Sequence, residues 1–480
     1  MRKTESAMRL LTTFLFGLLI FVANVGSASS AKVLMLQNNS QHIAYYAQTY
    51  LDPESLLSAE KVWSSQGAFS PVNQNQISVE VGSGEGFWVY LAIENPQKVA
   101  LSRILEIDYP LTSIAEIYQI TAGSPALLER ISLEQTMLAR NIIHRNPAFQ
   151  FVFQPLTKHE YLIKLQFHGK ANHALELNPV FYTTGGFYLR QLTVHIFFAA
   201  FLAFLSAVAI YNIILSSKVG IIDHAYYSLY LICYIFLVLL YEGFIFYFPA
   251  PIPVQWVVAG MSLVPIYTSV ALMAFGQKIL RLNRFYPQLD QYYKYLSVGL
   301  LVLSPITVLY IAWLNLAMEL VGAVAAFALG VLAIMLHQKG LRQAKYFAIS
   351  FVFIALGYGV ESSLYSFSAM SWFNTPNMSF TIGLVEQYFF YLCAIIEMIF
   401  LALALASYVD QMRADKELAQ AEALAQVEEK NKIKSRYTKQ LESDIAERTR
   451  EVREKSLMLS DKNEKLRELD DLKSRFFRKY

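Results

Sequence analysis

The chain has 480 residues and a net charge of +3; 55% of its residues are hydrophobic and only 16% charged, against about a quarter in an average soluble chain. So small a net charge excludes an electrostatic case for a nucleic-acid partner. The two cysteines, Cys233 and Cys393, both sit in apolar runs and leave no disulfide to staple the region before residue 187. Charges crowd after residue 409, the profile of a multi-span protein that lives in a lipid bilayer and carries a polar tail.

The first segment, residues 1–31, has a basic start (Arg2, Lys3, Arg9), an apolar run from Phe14 to Ala23, and small residues around Ala28 and Ala31. This is the pattern of a secretory signal peptide, and the run is short for a bilayer span. Cleavage would leave the next segment outside the cytoplasm; an uncleaved anchor is the alternative.

Residues 32–184 read as an exported all-β domain. In FQFVF, Phe149, Phe151 and Phe153 share one face, and in EYLIKLQF the residues Tyr161, Ile163, Leu165 and Phe167 oppose Lys164 and Gln166. Such alternation predicts half-buried strands. GFWVYLAIEN (86–95) is apolar on both faces, as a strand covered on both sides would be, and RILEIDYP and IAEIYQI add two more. Six or more short strands in such a length predict a β-sandwich or jelly roll.

Two groups in this domain are candidates for a ligand. Trp63, Trp88 and Tyr90 are either a stacking surface for a flat ligand such as a sugar or strand residues of the core. RNIIHRNP brings Arg140, His144, Arg145 and Asn146 together, as either a ligand-facing loop or a solvated connection. No metal-ligand spacing stands out among the eight histidines, and no cofactor is expected.

From residue 185 to 408 the text changes to seven apolar runs, at about 189–214, 225–247, 254–276, 295–314, 317–336, 346–366 and 385–408. Each is long enough to cross a bilayer as a helix. Lys218 follows the first run; Lys278, Arg281, Arg284 and Lys294 follow the third; Lys339, Arg342 and Lys345 follow the fifth. The connections after the second, fourth and sixth carry no Lys or Arg. Positive-inside bias therefore predicts the odd exits and the tail in the cytoplasm, and the first domain outside. Glu242, Glu319, Glu361, Glu386 and Glu397 fall in or at the edge of these runs. They read as an intramembrane switch or proton path, with Glu242 and Glu397 as the leading candidates, or as hydrogen-bonded contacts between helices. Pro265 is a lone kink candidate.

The tail, 409–480, contains no Gly, Pro, Cys, Trp or His, which predicts mostly continuous helix. Ile445, Val452, Leu459 and Leu466 recur every seven residues, one apolar row of a coiled coil,. The second row is poor, with Arg448, Lys455 and Lys462 between Leu441 and Leu469. A weak parallel homodimer seam is the preferred reading, and a solvated charged helix the other. With no glycine and no histidine, the tail has neither a phosphate-cradling loop nor a phosphoacceptor histidine.

Taken in order, these parts resemble the bacterial seven-transmembrane receptors with diverse intracellular signalling modules. YLDPESLLSAEKVW, GFWVYLAIENP, ILEIDYPLTSIAEIY and RNIIHRNPAFQF look like that family's periplasmic jelly-roll module. AIYNIILSSKVGIIDHAYYSLYLICY looks like its first two spans, and IIEMIFLALALASYV like its last. LESDIAERTREV and LRELDDLKSRFF are similar to the helix that enters the dimerisation domain of sensor histidine kinases.

The resemblance implies a receptor of the bacterial inner membrane for a small extracytoplasmic ligand, with carbohydrate the suggested class. Its signal would pass through seven spans to a cytoplasmic helix, as the input part of a two-component histidine-kinase system. In that family a phrase like LKSRFF leads into a phosphoacceptor-histidine motif, whereas here Phe477 is followed by Arg478, Lys479 and Tyr480. The expectation is therefore a non-enzymatic input half, from a truncated frame, an incomplete gene, or a receptor acting through a separate kinase or response regulator. The alternative from another class is a transporter or channel using the intramembrane glutamates.

Overall fold

The computed structural model describes residues 32–37, 40–65, 68–72, 77–80, 86–167, 174–177, 179–220, 222–248, 252–309, 312–368 and 376–478. The expected signal peptide, residues 1–31, lies outside them, as do the side chains of Glu361 and Glu386. The chain divides into two compact units, meeting at Leu405 and Ala406.

The first unit begins with thirteen strands among its described residues: β1 (Val33–Met35), β2 (Gln41–His42), β3 (Gln48–Asp52), β4 (Ser70–Pro71), β5 (Ile77–Glu80), β6 (Gly86–Glu94), β7 (Leu101–Glu106), β8 (Thr112–Thr121), β9 (Ser124–Ser132), β10 (Ala148–Phe153), β11 (Lys158–Phe167), β12 (Ala174–Leu177) and β13 (Val180–Thr183). One short helix, α1 (Ala59–Ser64), follows β3. β4-β3-β6-β11-β8-β9 form a sheet, with β1 added parallel to the end of β6; β10-β7-β13-β2 form a second. The two sheets are joined by a core in which the odd-numbered residues of β6 (Phe87, Val89, Leu91, Ile93) meet Phe149, Phe151, Phe153 and Phe181. The alternation read from FQFVF and EYLIKLQF is the one that fills this core.

Because successive strand residues point to opposite faces, each sheet has a second face with its own partners. On the larger sheet, Trp88 and Leu162 pack under Ala59 and Val62 of α1, which is why GFWVYLAIEN is apolar on both sides. On the smaller sheet, Ile104, Val180 and Tyr182 pack with Phe187, which lies in the first turn of α2 (Thr184–Val219). β13 thus runs straight into the first long helix. The Thr183 hydroxyl accepts the Gly186 amide at 3.1 Å, an N-cap that satisfies a donor the helix itself leaves unpaired.

The helices continue with α3 (Asp223–Tyr241), α4 (Val254–Ile279), α5 (Leu282–Phe285), α6 (Pro287–Thr307), α7 (Ala312–Gln338), α8 (Arg342–Ser368) and α9 (Pro376–Phe477). Six of them are long and apolar enough to cross a membrane among the described residues. The fourth expected span is the exception: its helix is α6, shifted toward PQLDQYYK, whose polar first turns dilute it. Pro287 sets that start, since proline suits the first turn of a helix. The second expected span also ends early. α3 stops at Tyr241 because Gly243 turns left-handed (φ +72°) and a short 3-10 turn, Phe244–Tyr247, comes next.

The second unit, Ala406 to Tyr480, is helical through Phe477; Tyr408 and Val409 are buried, and from Met412 to Phe477 the helix is exposed. Ile445, Val452, Leu459 and Leu466 are each more than half exposed. Arg450–Glu454 and Lys465–Asp461 pair at i,i+4.

Candidate functional site at the sandwich–bundle junction

The site is built around Glu106, the last residue of β7. In RILEIDYP the strand alternation sends Leu105 into the sandwich and puts Ile104 and Glu106 on the opposite face, toward the helices. A buried carboxylate needs partners, and Glu106 has three. His144 Nε2 lies 2.8 Å from Oε1, the Asn146 amide donates to the same oxygen at 2.8 Å, and Arg190 of α2 donates to Oε2 at 3.2 Å. Burial alone would raise the Glu106 carboxyl. The hydrogen bond and charge of His144, the Arg190 guanidinium and the Asn146 amide outweigh it and hold the group well below the usual carboxylate range,. Asn146 also donates to Asp108 at 2.9 Å, and Arg140 donates to the His144 carbonyl at 3.0 Å. The loop RNIIHRNP is thereby folded on itself and turned to the membrane helices.

Arg145 extends the network into the bundle. It donates to the Glu242 carboxylate at 2.5 Å and to the Glu242 carbonyl at 2.7 Å, with its guanidinium 5.2 Å from the Phe244 ring. The other carboxylate oxygen of Glu242 accepts the Tyr391 hydroxyl of α9 at 2.6 Å. A charge-assisted path therefore runs from the sandwich loop, through the end of α3, to α9. Gly243 lets the two parts approach this closely: a Cβ there would lie 2.6 Å from Pro110 Cβ.

A second link between α3 and α9 lies deeper. Glu397, 1% exposed, accepts from the Tyr230 hydroxyl at 2.9 and 3.2 Å, and the Tyr227 hydroxyl donates to the Met398 carbonyl at 2.7 Å. The two helices exchange roles: α3 offers a phenol at depth and an acid at its end, while α9 offers an acid at depth and a phenol nearer its start.

The sequence candidates thus separate. Arg140, His144, Glu242 and Glu397 sit in buried polar networks, whereas Trp88 and Tyr90 lie elsewhere, on the α1 side of the larger sheet. Trp88 has no exposed surface; its indole N–H points to Asp52 at 3.4 Å and Lys164 lies over its ring at 5.3 Å. Tyr90 is half-buried against Trp63 and Phe69, with ring centroids at 5.7 and 6.1 Å. Burial first, then the negative charge and hydrogen bond of Glu160, push its phenol up to about 12. Sequence reasoning missed Glu106, Arg190 and Tyr391. Only Glu106 carried a signal, as an acid amid the apolar residues of a strand pattern.

A β-sandwich with a buried polar junction to a bundle of membrane-length helices defines a multi-pass membrane protein with an extracellular domain. Comparison with protein-family models sharpens this. The model described as 7TM diverse intracellular signalling matches residues 195–408, and the one described as 7TMR-DISM extracellular 2 matches residues 44–178. The chain belongs to this family of seven-transmembrane receptors with diverse intracellular signalling. No curated protein matches it.

Proposed function

We propose that the chain is a sensory receptor of a bacterial inner membrane, with the sandwich in the periplasm and the tail in the cytoplasm. A small extracytoplasmic ligand, with carbohydrate the leading class, biases the junction. The response is a rotation, slide or altered pairing of the tail helix in a homodimer, read by a two-component partner: a histidine kinase or a response regulator. The chain's own part is conformational and not catalytic. The observation that supports this reading is the Arg145–Glu242–Tyr391 path, because it joins the extracellular domain to α9, the element to which the tail also belongs. A ligand shifts such an equilibrium only by its different affinities for the two states.

The test uses the full chain in nanodiscs, screened against mono- and oligosaccharides for a thermal shift. A binding sugar should then change the yield of disulfide cross-links between Leu459→Cys or Leu466→Cys copies. A ligand that binds without changing tail cross-linking sinks the receptor reading. Substrate flux into vesicles, abolished by Glu397→Gln, would establish the transporter instead.

A further inference from the structure

The segment Leu133–Ile143 runs along the junction between the sandwich and the helices. Both ends of the segment are pinned to membrane helices. Leu133 packs with Leu240 of α3 and Val257 of α4, and Ile142 packs with Phe187 of α2. Between these anchors, Leu138 is 78% exposed and Ile143 49%. Two large apolar side chains left open beside an established interface call for a partner.

The depth of Ile143 identifies that partner. Its carbonyl accepts the Gln191 side chain at 3.1 Å, which sets it level with Gln191 on α2. That helix has 36 residues, about 54 Å of rise, whereas the hydrocarbon core is about 30 Å thick and takes about 20 residues. Counted back from Ile214, the end of the first apolar run, the core begins near His195. Gln191 therefore stands about 6 Å above it, within a headgroup layer about 5–8 Å deep. The neighbouring side chain Leu192, at the same level, is 57% exposed on that helix.

We propose that Leu138 and Ile143 form a lipid-contacting rim, by which the extracellular domain rests in the outer leaflet of the bilayer as well as on the helices. The occupant is the bilayer surface itself. The sandwich would then be held by two unlike contacts, a buried one to the bundle, partly polar and partly apolar, and an apolar one to lipid,.

The experiment places a polarity-sensitive fluorophore at Ile143→Cys in a full chain carrying Cys233→Ser and Cys393→Ala. The chain is reconstituted in nanodiscs of phosphatidylethanolamine and phosphatidylglycerol, with and without a headgroup-proximal doxyl lipid. Leu138→Cys is the second probe. Leu156→Cys is the control, because it is 67% exposed beyond the far end of β10, which pairs Ala148 with Glu106 at the junction. The expected result is blue-shifted emission and at least twofold quenching by doxyl lipid at 143 and 138, with none at 156. Iodide access at 143 equal to that at 156, without doxyl quenching, overturns the proposal. Protection from iodide without doxyl quenching also overturns it, since protein and not lipid would then cover the rim.

Discussion

Glu106 shows how one residue can carry a junction. Its carboxylate is buried and shared among a buried imidazole, a buried amide and a guanidinium that is 37% exposed, so removing its charge strips the buried His144 of its acidic partner. Breaking a buried pair costs about 3–5 kcal/mol, and Glu106→Gln, which keeps the shape and one acceptor, should fall at the lower end in chemical unfolding of the purified protein. The pH dependence comes from the lowered folded value. The stabilisation is complete above the ordinary value of 4.5 and fades as pH falls below it toward the depressed folded value,. Wild type should therefore lose stability with acid in that range, whereas Glu106→Gln should lack this part of the slope. An identical acid slope in the two proteins would show that Glu106 is not the titrating group. At the same scale, Trp88 marks a limit of reading residue types. An aromatic on a strand pattern is a ligand platform only where its face stays open, and α1 covers this one.

At the scale of elements, what ends a helix matters as much as what forms it. α3 is apolar enough to continue, and the sequence pattern ran the second span to 247. Gly243 stops it by adopting a left-handed conformation and by lying against Pro110. Gly243→Ala should cost about 1–2 kcal/mol for the left-handed backbone alone, with the Pro110 clash added. The expected readout is faster protease cleavage between sandwich and bundle, with the separated sandwich signals in circular dichroism unchanged. Unaltered cleavage would mean that the approach of Pro110 to the turn is not needed for docking. The tail makes the opposite point. Its apolar row at Ile445, Val452, Leu459 and Leu466 is legible from spacing alone, and it stays exposed in a single copy, as both a homodimer seam and a solvated charged helix would.

Over the molecule as a whole, two links tie α3 to α9, and one of them also reaches the sandwich. Glu242 is the shared member. Glu242→Gln keeps an acceptor for Tyr391 but loses the charge that holds Arg145. On the receptor reading proposed above, it should leave binding of the sugar found in the nanodisc screen within about threefold while cutting the ligand-driven change in tail cross-linking by half or more. Equal responses in the two proteins would remove Glu242 from the path.

The layered order of this protein was determined by sequence alone: strands, then long apolar helices, then a charged helix. The reason is physical. Period-two alternation, apolar runs of bilayer length and the lack of helix breakers are local properties, written within some ten to twenty-five residues. Glu242 and Glu397 were legible for the same reason, since each is polar in an apolar run, whereas Arg140 and His144 stood out only by their clustering in RNIIHRNP. Their partners were decided only by tertiary structure. Arg145 and Glu242 are 97 residues apart, and Tyr391 and Glu242 are 149. No local pattern can say which distant group relieves a buried charge. That choice belongs to the docking of a sheet face on helix ends, which exists only when the chain is folded.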